Sequence, residues 1–310
     1  MISRGQTVAL TRCGAYDRDI LLPCLDKVLR ATAVPECRSL RVLLKPNLLT
    51  GRKGNLPCTE AAFILAVARW FLDQGARVSL GDSPAFGSAS GILAQLGILE
   101  KLRSLGVRVT DFRTVREIVL PSGVRAGIAA EALGCDLLVN MPRVKAHAQM
   151  RMTMALKNCF GCLVGMRKPW WHMRHGGDPH LFARLLTELP GILPDQIVLV
   201  DGITAMHTTG PIGGEPFPLR LVGAGRDPVA VDTALLAVIG VDPRAVPLWQ
   251  ICHQQGLVAT ELAALHFPLR HPHELRVTGF VAPEQLNPVR FNLFRFMKNT
   301  LKRILLRNSS

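Results

Sequence analysis

The sequence predicts an α/β fold: a mostly parallel sheet flanked by helices in a Rossmann-like three-layer arrangement, with a basic amphipathic helix at the C-terminus. Three observations predict it. Short β-branched runs alternate with longer stretches of helical periodicity, the pattern of strand–helix–strand units. Two of the runs, "CDLLVNMP" and "QIVLVDG", read as strongly buried strands. Four runs end on polar, turn-forming residues at their C-terminal side.

In chain order, "QTVALTR" reads as a first strand and "SLRVLLKPN" as a second. Thr59 is placed to cap the helix "EAAFILAVARWFLDQ", which Gly75 ends. "ARVSLGDS" is a third strand. Ser88 or Ser90 opens the helix "GILAQLGILEKLRSL", and Gly106 closes it. "VRVTDF" and "REIVLP" follow, with a turn at Ser122-Gly123, then "CDLLVNMP". Residues 150–158 read as helical, which puts Thr153 and Lys157 on one face. "QIVLVDG" and "PLRLVGAG" are further strands. Asp227 then caps the helix "PVAVDTALLAVIG", with Pro228 at its first position. Residues 1–285 are expected to form one α/β domain, and 286–310 the appended helix.

The chain has 310 residues and is 48% hydrophobic, 19% charged and only 5% aromatic, so it is globular with an aliphatic core. Its formal net charge is +14, which favours anionic partners. Part of that excess is local, because Arg290, Arg295, Lys298, Lys302, Arg303 and Arg307 follow Glu284 without an intervening acid. With Phe291, Phe294, Met297, Leu301, Ile304 and Leu305 at helical spacing, this tail suits an anionic membrane surface or docks on the body. Eight dispersed cysteines do not form a secreted disulfide framework, and no apolar run approaches a membrane span. The expected setting is cytoplasmic, peripheral at a membrane if the tail docks there. The sequence does not point to nucleic acid as a partner, since no binding motif appears.

In open parallel sheets, ligands bind outside the carboxyl ends of the strands. The four polar strand ends supply Lys45-Pro46-Asn47, Gly81-Asp82-Ser83, Arg143 with Lys145 and His147, and Asp201-Gly202. If the strands are parallel neighbours, these clusters meet. Lys45, Lys145 and Lys157, with Arg143 and Asn158, would then neutralise and hold an anion, helped by the N-terminus of the 150–158 helix. His147 is the proton-transfer candidate, because its ordinary pKa lies nearest neutrality. Asp82 and Asp201 are candidate ligands of a divalent metal, or a base. Gly210 and Gly213 permit close backbone approach or an anion-binding nest. Cys159 and Cys162, with His172 and His175 downstream, have spacing that could hold iron or another metal, but the same pair also reads as buried apolar packing. "WWHMRHGG" reads as a lid over a planar ligand or as an aromatic plug.

Taken together, these motifs carry a resemblance. Lys45-Pro46-Asn47; Gly81-Asp82-Ser83; Pro142, Lys145 and His147; Thr153, Lys157, Asn158 and Gly161; Asp201-Gly202 with Gly210-Pro211; and Asp227-Pro228-Val229-Ala230 with Asp232 follow the order of the family called domain of unknown function 362. The resemblance covers about residues 40–240. It implies an α/β fold, and some members carry an additional ferredoxin-type domain with iron–sulfur clusters. It implies no reaction. Arg143 stands where the family usually shows Lys, Ala146 where it usually shows Thr, and the four-cysteine cluster of some relatives is absent. The expected function is that of an enzyme acting on an anionic phosphate or carboxylate at the C-terminal edge of the sheet, with a divalent metal or iron as possible cofactor. Two alternatives stand beside it: an iron or iron–sulfur protein, and a non-catalytic membrane-surface module.

Overall fold

A computed structural model of the chain describes residues 6–51, 56–85, 87–164, 171 and 179–286. The strands are β1 (Val8–Arg12), β2 (Arg41–Pro46), β3 (Arg77–Asp82), β4 (Arg108–Asp111), β5 (Val115–Val119), β6 (Arg125–Ala129), β7 (Leu137–Met141), β8 (Arg143–His147), β9 (Arg151–Thr153), β10 (Gln196–His207), β11 (Glu215–Phe217) and β12 (Leu221–Gly225). The helices are α1 (Arg18–Ala31), α2 (Ala61–Asp73), α3 (Ala89–Gln95), α4 (Leu99–Ser104), α5 (Ala130–Leu133), α6 (Ala155–Asn158), α7 (Pro179–Glu188), α8 (Pro228–Ile239) and α9 (Pro247–Gln254).

The main sheet runs β1-β12-β10-β7-β2-β3-β4. From β10 to β4 every pairing is parallel, whereas β12 and β1 join antiparallel. The sheet is therefore mostly parallel, with an antiparallel margin at the "PLRLVGAG" and first strands. Successive strand residues point to opposite faces, and the core divides accordingly. Leu43, Leu138, Val198 and Val200 pack on one side with α6, α7, α8 and α9. Val42, Leu44, Leu137, Val139, Ile197 and Leu199 pack on the other with α1, α2, α3 and α4. This is the expected three-layer arrangement. β5 and β6 form a separate two-stranded ribbon.

Pro142 shapes the sheet where it matters for function. It has no N–H to give to a ladder, so the run from Leu137 to His147 breaks there. β10 pairs with β7 near its start, through Gln196↔Leu138, and with β8 further on, through Asp201↔Arg143 and Met206↔Lys145. The break carries β8 past the edge of the main sheet. β9 then folds back on β8 in an antiparallel hairpin.

The hairpin corrects the expected helix over 150–158. Only Ala155–Asn158 is helical, and Arg151–Thr153 is a strand. The residues Met150-Arg151-Met152-Thr153-Met154 alternate apolar and polar, and all three methionines are buried, which is a strand period. Other boundaries depart less. The helix expected over 91–105 breaks at Gly97, whose φ of +72° ends the first segment. Ser88 caps α3, and Asp227 caps α8 by accepting from Val229 N at 2.7 Å and Ala230 N at 3.4 Å. Thr59 does not cap α2; its hydroxyl accepts from Asn47 N and donates to the Met141 carbonyl, both at 2.8 Å, joining the ends of β2 and β7. Among the described residues, no helix is long and apolar enough to cross a membrane. The C-terminal helix expected over 286–310 lies outside the described residues, apart from residue 286.

Candidate functional site

β10, β7, β2 and β3 are consecutive parallel neighbours, so their C-terminal ends meet along one edge. Lys45, at the end of β2, is fully buried, and its ammonium lies 3.0 Å from Asp82 Oδ1 at the end of β3. It also donates to the Pro46 carbonyl at 2.9 Å and to Asn158 Oδ1 at 3.3 Å. Asp82 accepts from Leu48 N at 2.9 Å and Ser83 N at 2.8 Å. Asn158 donates to Asn140 Oδ1 at 2.7 Å and accepts from Asn47 Nδ2 at 3.0 Å. Gly161 lies over this ion pair so closely that a Cβ there would fall on Lys45 Nζ and Asp82 Oδ1. The glycine is required by that approach, not by the end of a helix.

A second buried group lies toward β10. Asp201 has no exposure and accepts from the Tyr16 hydroxyl at 2.7 Å and from Glu60 N at 2.8 Å, with Arg143 Nη1 at 3.6 Å. Tyr16 in turn accepts from Thr204 N at 3.1 Å. Asp201 thus holds the entrance of α2 and is enclosed by donors. Burial pushes its pKa up, opposed by Arg143. Both oxygens of Asp201, the candidate base or metal ligand, are engaged in holding the framework. Arg143 is engaged in the same way. Nε donates to the Thr204 carbonyl and Nη1 to the Cys58 carbonyl, both at 2.9 Å.

Arg143, Lys145 and His147 alternate along β8 and share one face. Lys145 is 2% exposed and donates to Asn47 Oδ1 and to the Pro57 carbonyl, each at 2.7 Å. Among the described residues no carboxylate reaches ion-pair distance of it. Burial pushes its pKa down to about 7; Cys58 and Asp82 oppose that shift, while Lys157 and Arg143 add to it. Lys157, one turn into the segment after β9, is partly exposed. Its ammonium stands 5.8 Å from the Phe160 ring centroid and has no hydrogen bond or ion pair among the described residues. Desolvation brings its pKa down to about 8. His147 Nδ1 accepts from Gln149 N at 3.1 Å and Met150 N at 3.2 Å, so proton transfer by this ring would run through Nε2.

The expected anion cradle at a helix N-terminus is corrected too. The free N–H groups of Ala155 and Leu156, at the start of α6, hold Asp232 of α8 at 2.7 and 3.1 Å. The chain supplies its own anion there. Gly210 lies against the Ala146 carbonyl, with no room for a Cβ, and its own carbonyl accepts from Ala148 N at 2.9 Å. This packs the Gly210–Gly214 loop under the β8–β9 hairpin. Gly213 has a φ of +84°, which favours glycine.

Cys159 and Cys162 are buried in a single turn. Asn140 Nδ2 donates to Cys159 Sγ at 3.4 Å, and burial pushes that thiol far above its ordinary pKa, with Cys162 adding to the shift. A metal ligand needs the thiolate. Among the described residues no group of three or more His, Cys, Asp or Glu could hold a metal. His172 and His175 lie outside the described residues. Trp171 is 1% exposed, with its ring centroid 6.2 Å from that of Phe160, and the rest of the expected lid or plug lies outside the described residues.

Tyr16, Glu60 and Asn140 join the site without having stood out in the sequence, and Asp232 stood out only weakly. Asn140 and Asp232 had a signal: Asn140 is a lone polar residue, and Asp232 a lone charged one, in an apolar run. Tyr16 and Glu60 had none, since tertiary contact alone brings them to Asp201.

A family model described as "Domain of unknown function (DUF362)" matches residues 42–237. A thylakoid-associated protein of Synechocystis sp. is 38% identical over 269 residues, covering 86% of this chain and 84% of that protein. Two solved structures are similar at lower levels. A protein of Thermotoga maritima aligns with a TM-score of 0.46 and 10% identity, over 67% of this chain and 55% of its own. The lactate racemase apoprotein of Thermoanaerobacterium thermosaccharolyticum aligns with a TM-score of 0.41 and 14% identity, over 64% of this chain and 51% of its own. The chain spans about half the length of these two structures.

Proposed function

The chain belongs to the domain of unknown function 362 family, and from its site we propose that it is an enzyme acting on an anionic small molecule, a phosphate or carboxylate, at the C-terminal edge of the sheet. One observation carries this reading. The site's charges pair internally except at two lysines: Lys45 has Asp82, and Arg143 has Asp201 and Glu60, but Lys145 and Lys157 have no carboxylate within ion-pair distance among the described residues. A buried ammonium at Lys145, with the like charge of Lys157 adding to its cost, is unfavourable until an anion joins them.

In this reading Lys145 and Lys157 hold the ligand's charge. Asn47 orients Lys145 through the bond at 2.7 Å. Lys145, with its pKa near 7, is also suited to move a proton at neutral pH. His147 serves as a second proton donor through Nε2. The donor set does not favour a divalent metal, because Asp82 and Asp201 are taken up by Lys45, Arg143 and N–H donors. The test is calorimetric titration of the full chain with inorganic phosphate and with acetate, alongside Lys145→Met and Lys157→Met. At least one anion should bind the native chain, and each variant should weaken it tenfold or more. Equal binding by the native chain and both variants, or none by any, removes the proposal.

A second reading is favoured by the Synechocystis relative, which is thylakoid-associated, and by six cations without an acid between 290 and 307. It is peripheral attachment of the chain to an anionic membrane surface through that segment. Co-sedimentation with phosphatidylglycerol vesicles should require residues 287–310. If a chain ending at residue 286 sediments equally, this segment is not the anchor.

A further inference from the structure

Two buried polar side chains of the β8–β9 hairpin have no hydrogen-bond partner among the described residues. They are the hydroxyl of Thr153, a residue 3% exposed, and both ends of the carboxamide of Gln149, 1% exposed. Buried polar groups are nearly always satisfied, and one left bare destabilises the fold. Three such atoms within five residues call for a cause.

Their position supplies one. Thr153 pairs with Lys145 across the β8–β9 ladder, and residues paired in this way share a face of the hairpin. Gln149 sits at the turn of the same hairpin, with its N–H on His147 Nδ1 at 3.1 Å. Lys157 follows Thr153 by four residues. The bare Thr153 hydroxyl thus belongs to the residue opposite Lys145, and the bare Gln149 carboxamide to the turn of the same hairpin. We infer that Thr153 and Gln149 are ligand-recognising residues, and that the anion taken up here carries a hydroxyl group beside its charge.

The chemistry of the three atoms narrows the ligand. A hydroxyl of threonine donates and accepts, the amide nitrogen of glutamine only donates, and its oxygen only accepts. A carboxylate at neutral pH, or the dianion of a phosphate monoester, offers only acceptors, which leaves the carboxamide oxygen unsatisfied. The ligand must therefore also bring a donor. An ammonium group would set a third cation beside Lys145 and Lys157, which like-charge repulsion disfavours. A hydroxyl donates and accepts without charge. This inference rests on the anion reading proposed above and specifies its substrate class as small hydroxylated anions.

The experiment compares matched probes by calorimetry on the full chain: acetate against glycolate, and methyl phosphate against glycerol 3-phosphate. The two arms separate carboxylate from phosphate. In at least one arm the hydroxylated member should bind about tenfold tighter or more, since a site built to hydrogen-bond a hydroxyl rejects the analogue lacking it. Thr153→Val with Gln149→Leu should bring the hydroxylated probe down to its bare partner, while Thr153→Ser should keep the preference. The Val/Leu variant should unfold at or above the native temperature, because apolar replacement removes unsatisfied groups. If bare anions bind and hydroxylated ones bind no better, the inference fails and the anion reading stands; the hairpin then encloses water only. A preference that survives in a folded Val/Leu variant also overturns it. Failure of every probe removes both readings.

Discussion

At the residue scale, Gly161 and Lys145 show opposite demands of one site. Gly161 is needed because the Lys45–Asp82 pair fills the space a side chain would take. Gly161→Ala should destabilise the fold by about 1–3 kcal/mol, the usual cost of forcing atoms into a packed interior, and urea unfolding would measure it. Unchanged stability would mean that the ion pair can yield. Lys145 is governed by its charge. Its folded pKa, near 7, lies below its ordinary 10.5, so below pH 7 the ammonium is charged in both folded and unfolded chains and its burial cost is fully present. Between pH 7 and 10.5 the unfolded chain holds the proton that the folded chain has released, so native stability rises with pH over that window. The native chain should therefore gain stability relative to Lys145→Met from pH 7 to 10. Anion affinity should move the other way, falling by about tenfold per pH unit above 7 as the cation is lost. A flat affinity profile between pH 6 and 9 would exclude Lys145 as the charge that holds the anion.

At the element scale, the short α6 is held by a distant residue. Its four residues are too few to be helical alone, and Asp232 of α8 satisfies two of its N–H groups at 2.7 and 3.1 Å. Removing that carboxylate leaves two buried donors bare. Asp232→Ala should accordingly cost about 2–4 kcal/mol and weaken anion binding, because Lys157 and Asn158 lie on α6. Asp227→Ala, which removes an ordinary cap from α8, should cost only about 1 kcal/mol and leave binding unchanged. Denaturant midpoints and anion titrations of the two variants would separate support of the site from support of a helix. Equal effects on binding would reject the distinction.

At the scale of the whole molecule, the buried charges join parts of the chain far apart in sequence. Lys45–Asp82 links β2 to β3, while Arg143, Asp201, Tyr16 and Glu60 link β8, β10, the segment before α1 and the start of α2. Removing one partner of a buried pair is expected to cost about 3–5 kcal/mol because the other charge is stranded. Asp82→Ala should lower the stability of the whole fold by that amount in one cooperative transition. A loss confined to anion binding, with the urea midpoint unchanged, would show that the pair belongs to the ligand and not to the framework. The net charge of +14 also acts at this scale. Any association with anionic vesicles should fade as ionic strength rises from 50 to 300 mM, because exposed charges are screened over about 10 Å at 0.1 M salt.

The sequence by itself determined the fold class, the strands from β1 to β4 along the main path of the sheet, and the identity of most residues at the edge. Apolar strand runs with polar ends are a local signal, set by what each strand must bury and where it must turn. Lys45, Asn47, Asp82, Lys145, Lys157 and Asn158 were all legible in that way. The hairpin of β8 and β9 was written in the alternation of Met150, Met152 and Met154, but the helical reading of the same residues obscured it. Only the tertiary structure decided which charges neutralise one another. Asp201 read as a base until Tyr16, Glu60 and Arg143 surrounded it, and the start of α6 read as an anion site until Asp232 filled it. Pairing of buried charges depends on contacts between residues up to 185 positions apart, and local pattern carries no trace of them. What remains after that pairing is Lys145 and Lys157, beside Thr153 and Gln149.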